Sequence, residues 1–229
     1  MLFAGAAALL VSCDSGDIYP EEQGYEEGIT VEGNFTVLSP EAFPTDYTFI
    51  FGVFGANGNS PLASVNVVSL PSDGEKLNVK LDNIPDESTS AKLCLVNTGR
   101  QVVYTFFEYG IDGDGPANIM LPSAQIDLLK YDRIQKLVFE QYNCVSCHGS
   151  GSGAGNLLLT EGNSYSQLVN RSSENSVKQR VTAGDPDESF LLDALADETL
   201  LTPPHTGYIT REGDISLLRL WIKAGCPNN

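Results

Sequence analysis

The sequence predicts two structural units of different class, an all-β sandwich followed by an all-α domain. Three observations carry that expectation. From about Ile29 to Ile111 apolar and polar residues alternate with a period of two, the mark of half-buried strands. Beyond about Ile126 the apolar residues recur at the spacing of one helix face. A Gly- and Pro-bearing stretch, 112–125, separates the two patterns and reads as a linker. With 229 residues the chain is long enough for two modest cores.

The chain opens on an apolar run, Met1 to Ser12, that ends at Cys13. The run is too short to span a bilayer and suits the central segment of a signal peptide, expected over 1–12. No Lys or Arg precedes it, so the leader is expected to start upstream of Met1. Residues 13–28 carry Asp14, Asp17, Glu21, Glu22, Glu26 and Glu27 and no basic residue. Such a stretch cannot bury enough apolar surface to fold, and it reads as an acidic tether.

Strands are expected at Ile29–Leu38, Tyr47–Phe54, Ala63–Leu70, Lys76–Leu81, Ala91–Asn97 and Gln101–Tyr109. In the second of these Phe49, Phe51 and Val53 alternate with Thr48, Ile50 and Gly52. Turn residues punctuate the series, among them Asn57-Gly58, Asp73-Gly74 and Asn97-Thr98-Gly99. Short strands at this spacing suggest an antiparallel sandwich of immunoglobulin-like type over 29–111. Its aromatic residues read as core, and Cys94 as a buried free thiol. The segment holds no His, no clustered acid–base pair and no phosphate-binding glycine loop. A spacer, or a module that recognises a glycan or a protein, is the role left to it.

The helical unit is expected over 126–229. Ile126, Leu129, Ile134, Leu137, Val138 and Tyr142 would line one face of a helix reaching Asn143. A second helix is expected over Asn163–Arg171, and a third begins near Asp185-Pro186-Asp187-Glu188-Ser189 with Asp187 as its cap. The last runs from Glu212 to Lys223, with Gly225 just past its end. Cys226 is expected as a free thiol.

Between the first two of these helices stands Cys144-Val145-Ser146-Cys147-His148, followed by Gly149. A single C-x-x-C-H run is the attachment signature of c-type haem. Two thiols at that spacing can each add to a vinyl group on one porphyrin edge, and the adjacent imidazole then reaches the iron. Thioredoxin-like redox chemistry would want a βαβ context, and zinc would want a second ligand pair; both remain as lesser alternatives. Gly149 to Gly155 is glycine-rich, which suits close passage of backbone beside a flat cofactor.

A net charge of −17 excludes a nucleic-acid surface and charge-driven binding to anionic lipid, and favours a basic partner such as a positively charged redox protein.

Several pieces resemble the planctomycete-type branch of the bacterial class I cytochrome c family: Cys144-Val145-Ser146-Cys147-His148-Gly149, Gly184-Asp185-Pro186 with Ser189 and Leu191, Pro203-Pro204, and Trp221-Ile222-Lys223-Ala224-Gly225. The resemblance implies an all-α cytochrome c domain, haem thioethers at Cys144 and Cys147, and His148 as the proximal iron ligand. It further implies a distal Met just before Pro203-Pro204, where this chain has Thr202. His205, an open iron position, or Met120 are the candidates for the distal side. Leu10-Val11-Ser12-Cys13 resembles the lipobox of bacterial lipoproteins, which implies lipidation of Cys13. The acidic stretch after it resembles the surface-export signal of Bacteroidetes lipoproteins. Together these imply a lipid-anchored monohaem electron carrier of the cell envelope, in the periplasm or at the outer membrane or cell surface, with no catalytic acid, base or nucleophile. A haem enzyme or gas sensor with an open iron position, or a surface-binding lipoprotein, are the alternatives.

Overall fold

The computed structural model describes residues 28–112, 117–149 and 154–229. The expected signal peptide, Cys13 and nearly all of the acidic tether lie outside the described residues. Six strands form where β-branched and aromatic residues alternate: β1 (Thr30–Leu38), β2 (Thr48–Phe54), β3 (Pro61–Asn66), β4 (Lys76–Leu81), β5 (Ser90–Val96) and β6 (Val102–Gly110). Two short ones follow, β7 (Asn118–Met120) and β8 (Ala124–Asp127). They make two sheets, one in the order β3-β2-β5-β6 and one in which β4 and β7 flank β1 while β8 also pairs with β1.

The alternation decides what faces inward. Val31, Phe35 and Val37 of β1 meet Phe49, Phe51 and Val53 of β2 and Leu93 and Leu95 of β5 in one core. Phe35 packs edge-on against Phe107 of β6 at 4.8 Å between ring centres. Gly33 takes the one inward position on β1 where a Cβ would strike the Phe35 ring. Strand β5 is buried on both faces, because Cys94 and Val96 join Ile50 and Phe54 in a small second cluster on the outer side. Lys92 covers that side, its ammonium 5.1 Å from the Phe54 ring centre and 3.0 Å from Glu108.

Strand β1 is paired along both edges. On one, β4 runs antiparallel, with Phe35 opposite Leu77. On the other, β7 and then β8 run parallel to it, with Val31 opposite Ile119 and Val37 opposite Ile126. The chain then turns into helix: Asp127 Oδ1 accepts from the Leu129 N–H at 2.9 Å, and α1 (Tyr131–Ile134) begins three residues on from Leu128. It continues through a π-helical segment, Gln135–Glu140. The later helices are α2 (Ser164–Leu168), α3 (Phe190–Ala196) and α4 (Glu212–Lys223).

The expected pairing of an all-β immunoglobulin-like sandwich with an all-α cytochrome c domain is therefore corrected. Strand exceeds helix, 30% against 22%, and the helices are few and short. Ile126, expected on a helix face, lies in β8 and is buried against β1. Residues of the expected linker supply β7 and β8. The stretch before α3 is held by isolated bridges such as Val169 with Val181 and Gln179 with Ser189. Ser189, not Asp187, stands at the N-cap position of α3, its hydroxyl donating to Asp185 O and accepting from Thr182 N–H rather than capping the helix, and Asp185 Oδ1 accepts from the N–H groups of Asp187 and Glu188. The physical reason is that these helices do not need one another to bury their apolar faces. Leu137, Leu218 and Trp221 belong to the same continuous core as Phe35 and Phe51.

Polar groups are buried along the junction. Arg133, 2% exposed, donates through Nη1 to the carbonyls of Ala42 and Leu128, each at 2.7 Å, beside the Phe106 ring. Asp214 of α4, equally buried, accepts the Tyr142 and Tyr47 hydroxyls at 2.7 and 3.2 Å. Burial raises the Asp214 carboxyl above its ordinary range, against those two hydrogen bonds and the nearby Arg211 and Arg133 charges. Replacing Arg133 by Met leaves two enclosed carbonyls without donors and is expected to cost about 2–4 kcal/mol in denaturant unfolding. Arg219→Met removes only an exposed pairing with Asp187 and is expected to cost less than about 1 kcal/mol. Equal effects from the two would contradict this account of the junction.

Candidate haem site

The α/π helix ends at a residue that cannot continue it. Asn143 takes a left-handed backbone, φ 57°, and the chain starts a new turn, a 3₁₀ segment over Cys144–Ser146. Within it Cys147 N–H donates to Cys144 O at 3.3 Å and His148 N–H to the same carbonyl at 3.0 Å. Side chains three and four positions apart share one side of such a turn. The two cysteines and the histidine thus follow one another within a single tight turn, the spacing that C-x-x-C-H attachment needs. Gly149 has to be glycine, because a Cβ there would collide with the Val145 carbonyl.

A chain of hydrogen bonds fixes this turn to the helix before it. Leu159 N–H donates to His148 O at 2.7 Å, and Leu159 O accepts from the buried amide of Gln135 at 2.9 Å. Gln135 in turn accepts from Ser164, which takes a 2.7 Å hydrogen bond from Tyr131. Tyr131 and Tyr165 both stack near Trp221. The π-helical segment turns Gln135 inward to make this connection, a signal that periodicity alone did not carry.

All four described cysteines are free thiols. Cys147 is exposed and Cys144 half-buried, whereas Cys94 and Cys226 are buried. Burial pushes the Cys94 and Cys226 thiols up to about 12 and raises Cys144 as well. In haem-free protein at neutral pH, alkylation is therefore expected at Cys147 first and Cys144 next. Cys94 and Cys226 should react only on unfolding, and early labelling of either, seen by peptide mass spectrometry, would contradict this burial.

His148 is half-buried, and among the described residues its enclosed Nδ1 makes no hydrogen bond of good geometry, though the Leu157 and Ala154 carbonyls lie near the ring. Burial pushes its imidazole below the usual range, so the ring favours the neutral, metal-binding form; the nearby carbonyls of Leu157 and Ala154 partly oppose this. The ring of His205 stands 6.1 Å from that of His148, centre to centre. Two imidazoles bound to one metal ion from opposite sides need about 6 Å, from two metal–nitrogen bonds of about 2 Å and roughly 1 Å within each ring. His205 Nδ1 lies 3.0 Å from Pro203 O, and donating to that carbonyl leaves Nε2 with its lone pair. The residues present fit haem. Thr202 precedes Pro203 in a cis peptide bond and is exposed. Met120 sits on β7 opposite Glu32 and is 67% exposed.

Among the described residues no three His, Cys, Asp or Glu side chains converge as a closed metal site. Covalent haem does not need such convergence, only two thiols on one face and axial nitrogen. Among the described helices none is long and apolar enough to cross a membrane. No family model, no curated protein and no solved structure matches this chain. Gly149→Ala is expected to destabilise the turn by about 1–3 kcal/mol, read from the unfolding midpoint; a neutral result would contradict the close approach to Val145.

Proposed function

We propose that this protein is a monohaem c-type electron carrier of the bacterial cell envelope, anchored through a lipid on Cys13. The single observation that carries the reading is the tight turn bearing Cys144, Cys147 and His148, with the His205 ring 6.1 Å from that of His148, centre to centre. A haem site of this kind depends on a local turn rather than on a fold class, so a largely β chain can hold one. When bound, haem c supplies an iron that cycles between ferric and ferrous states.

The protein's own residues do the rest. Cys144 and Cys147 would hold the group by thioether bonds, and the Leu159–Gln135 connection keeps the His148 backbone in place. His148 and His205 would be its iron ligands, the His205 tautomer being set by Pro203 O. Held in this way, the group would ask no residue to act as acid, base or nucleophile. The apolar run before Cys13 and the acidic stretch after it support export and anchoring. A net charge of −17 suits a basic redox partner.

Protein matured in a competent periplasm is expected to give a c-type pyridine-haemochrome spectrum and a mass increased by one haem. A colourless product would end the proposal. Two imidazoles give a lower reduction potential than His with Met, because thioether ligation raises it. His205→Ala is expected to convert a low-spin spectrum to high-spin and to open the iron to carbon monoxide. An unchanged spectrum would remove His205 as ligand.

A further inference from the structure

We propose that Arg180 is a positioning residue for this site, clamping the backbone that hydrogen-bonds to Cys147 and His148 and holding an unpaired positive charge beside that turn. The inference rests on the haem reading above. Arg180 Nη2 donates to the carbonyls of Gly155 and Asn156 at 3.0 and 3.2 Å, and Nη1 donates to the backbone carbonyl of Gln167 at 2.9 Å and to its side-chain oxygen at 3.4 Å. The planar fork thus joins two separate segments, which a single ammonium cannot do with the same geometry.

The clamped backbone is under conformational demand. Gly155 and Asn156 both take left-handed φ, 61° and 47°. Their neighbours bind the site directly: Ala154 N–H donates to Cys147 O at 3.1 Å, and Leu159 N–H donates to His148 O. Arg180 itself is pinned on both sides, its N–H donating to Arg171 O and its carbonyl accepting from Leu191 N–H. The guanidinium is therefore fixed with respect to the turn that carries both thiols.

All four acceptors are neutral. Among the described residues no carboxylate forms an ion pair with Arg180, whereas Lys178, two positions earlier, pairs with Asp193 at 2.8 Å. The guanidinium is bonded to Gly155 and Asn156, in the segment whose Ala154 and Leu159 N–H groups bond the carbonyls of Cys147 and His148, so its charge is held beside the cysteine turn. A fixed cation there would favour the ferrous over the ferric state of a bound haem, which carries one more positive charge, and so would raise the reduction potential. In a chain of net charge −17, one fixed cation at this place opposes the field of the whole molecule.

The test compares Arg180→Gln and Arg180→Lys by two readouts. In haem-loaded protein, R180Q is expected to lower the midpoint potential and R180K to lie between it and the parent. In the haem-free C144A/C147A background, R180Q is expected to raise amide exchange at Ala154–Leu157 by roughly ten-fold while the core amides of β5 stay protected. R180K controls for folding, with a cooperative melt required of each variant. Unchanged potential and unchanged exchange in R180Q would overturn the proposal. A fall in potential as large in R180K as in R180Q would overturn the charge effect. Failure of the parent to bind haem would overturn the underlying reading, and the exchange experiment would still decide the clamp.

Discussion

Pairing of β1 along both of its edges is the constraint on which the rest of the chain depends. One edge is closed by β4, a local antiparallel partner. The other is closed by residues 118–127, which return after the second sheet has been built and run parallel to β1. Parallel pairing of this kind needs a long connection, and β2 to β6 supply it. The register ends with Leu128 N–H on Leu38 O, so the start of α1 is fixed to the sheet within three residues. About ten residues of helix then deliver the chain to Asn143 and the cysteine turn. The place of the cysteine turn is in this way set by an edge of a β-sheet.

The junction between sheet and helices is closed by buried polar groups, which costs desolvation unless each is satisfied. Arg133 feels that cost, since burial pushes its guanidinium down to about 10, yet it stays charged at neutral pH. Its two carbonyl acceptors and the field of Asp214 offset the loss. Asp214 is supported in turn by two tyrosine hydroxyls, one from β2's approach and one from the end of the helix before the cysteine turn. Tyr47 shows the same environment from the other side, its hydroxyl raised to about 12 by burial and by the Asp214 charge. Such groups give direction to a contact that apolar packing alone would leave free to slide.

The electron transfer proposed for this site would ask for small structural change between oxidation states, and the surroundings of the cysteine turn suit that demand. The turn is tied to its helix through Gln135 and Leu159 and to the following loop through Ala154, and the His205 ring approaches His148. These ties are hydrogen bonds between neutral groups, so little charge would have to rearrange on a one-electron change.

The sequence by itself determined the local features. Alternation placed β4 at Lys76–Leu81, the 3.6-residue period placed α4 at Glu212–Lys223, and the spacing of residues 144–148 brought two cysteines and a histidine into one tight turn. Each depends only on contacts within a few residues, and so it is written where it acts. Tertiary structure alone decided that Ile126 is a strand residue, that 118–127 completes the edge of β1, and that Gln135 turns inward from a π-helical segment. It also decided that His205 and Arg180, far along the chain, converge on His148 and its loop. An apolar residue such as Ile126 fits a helix face or a sheet edge equally well, and only the partner waiting on β1 makes the choice. The same holds for the class of the second half, whose helices found a β-sheet core to cover and had no need to build one of their own.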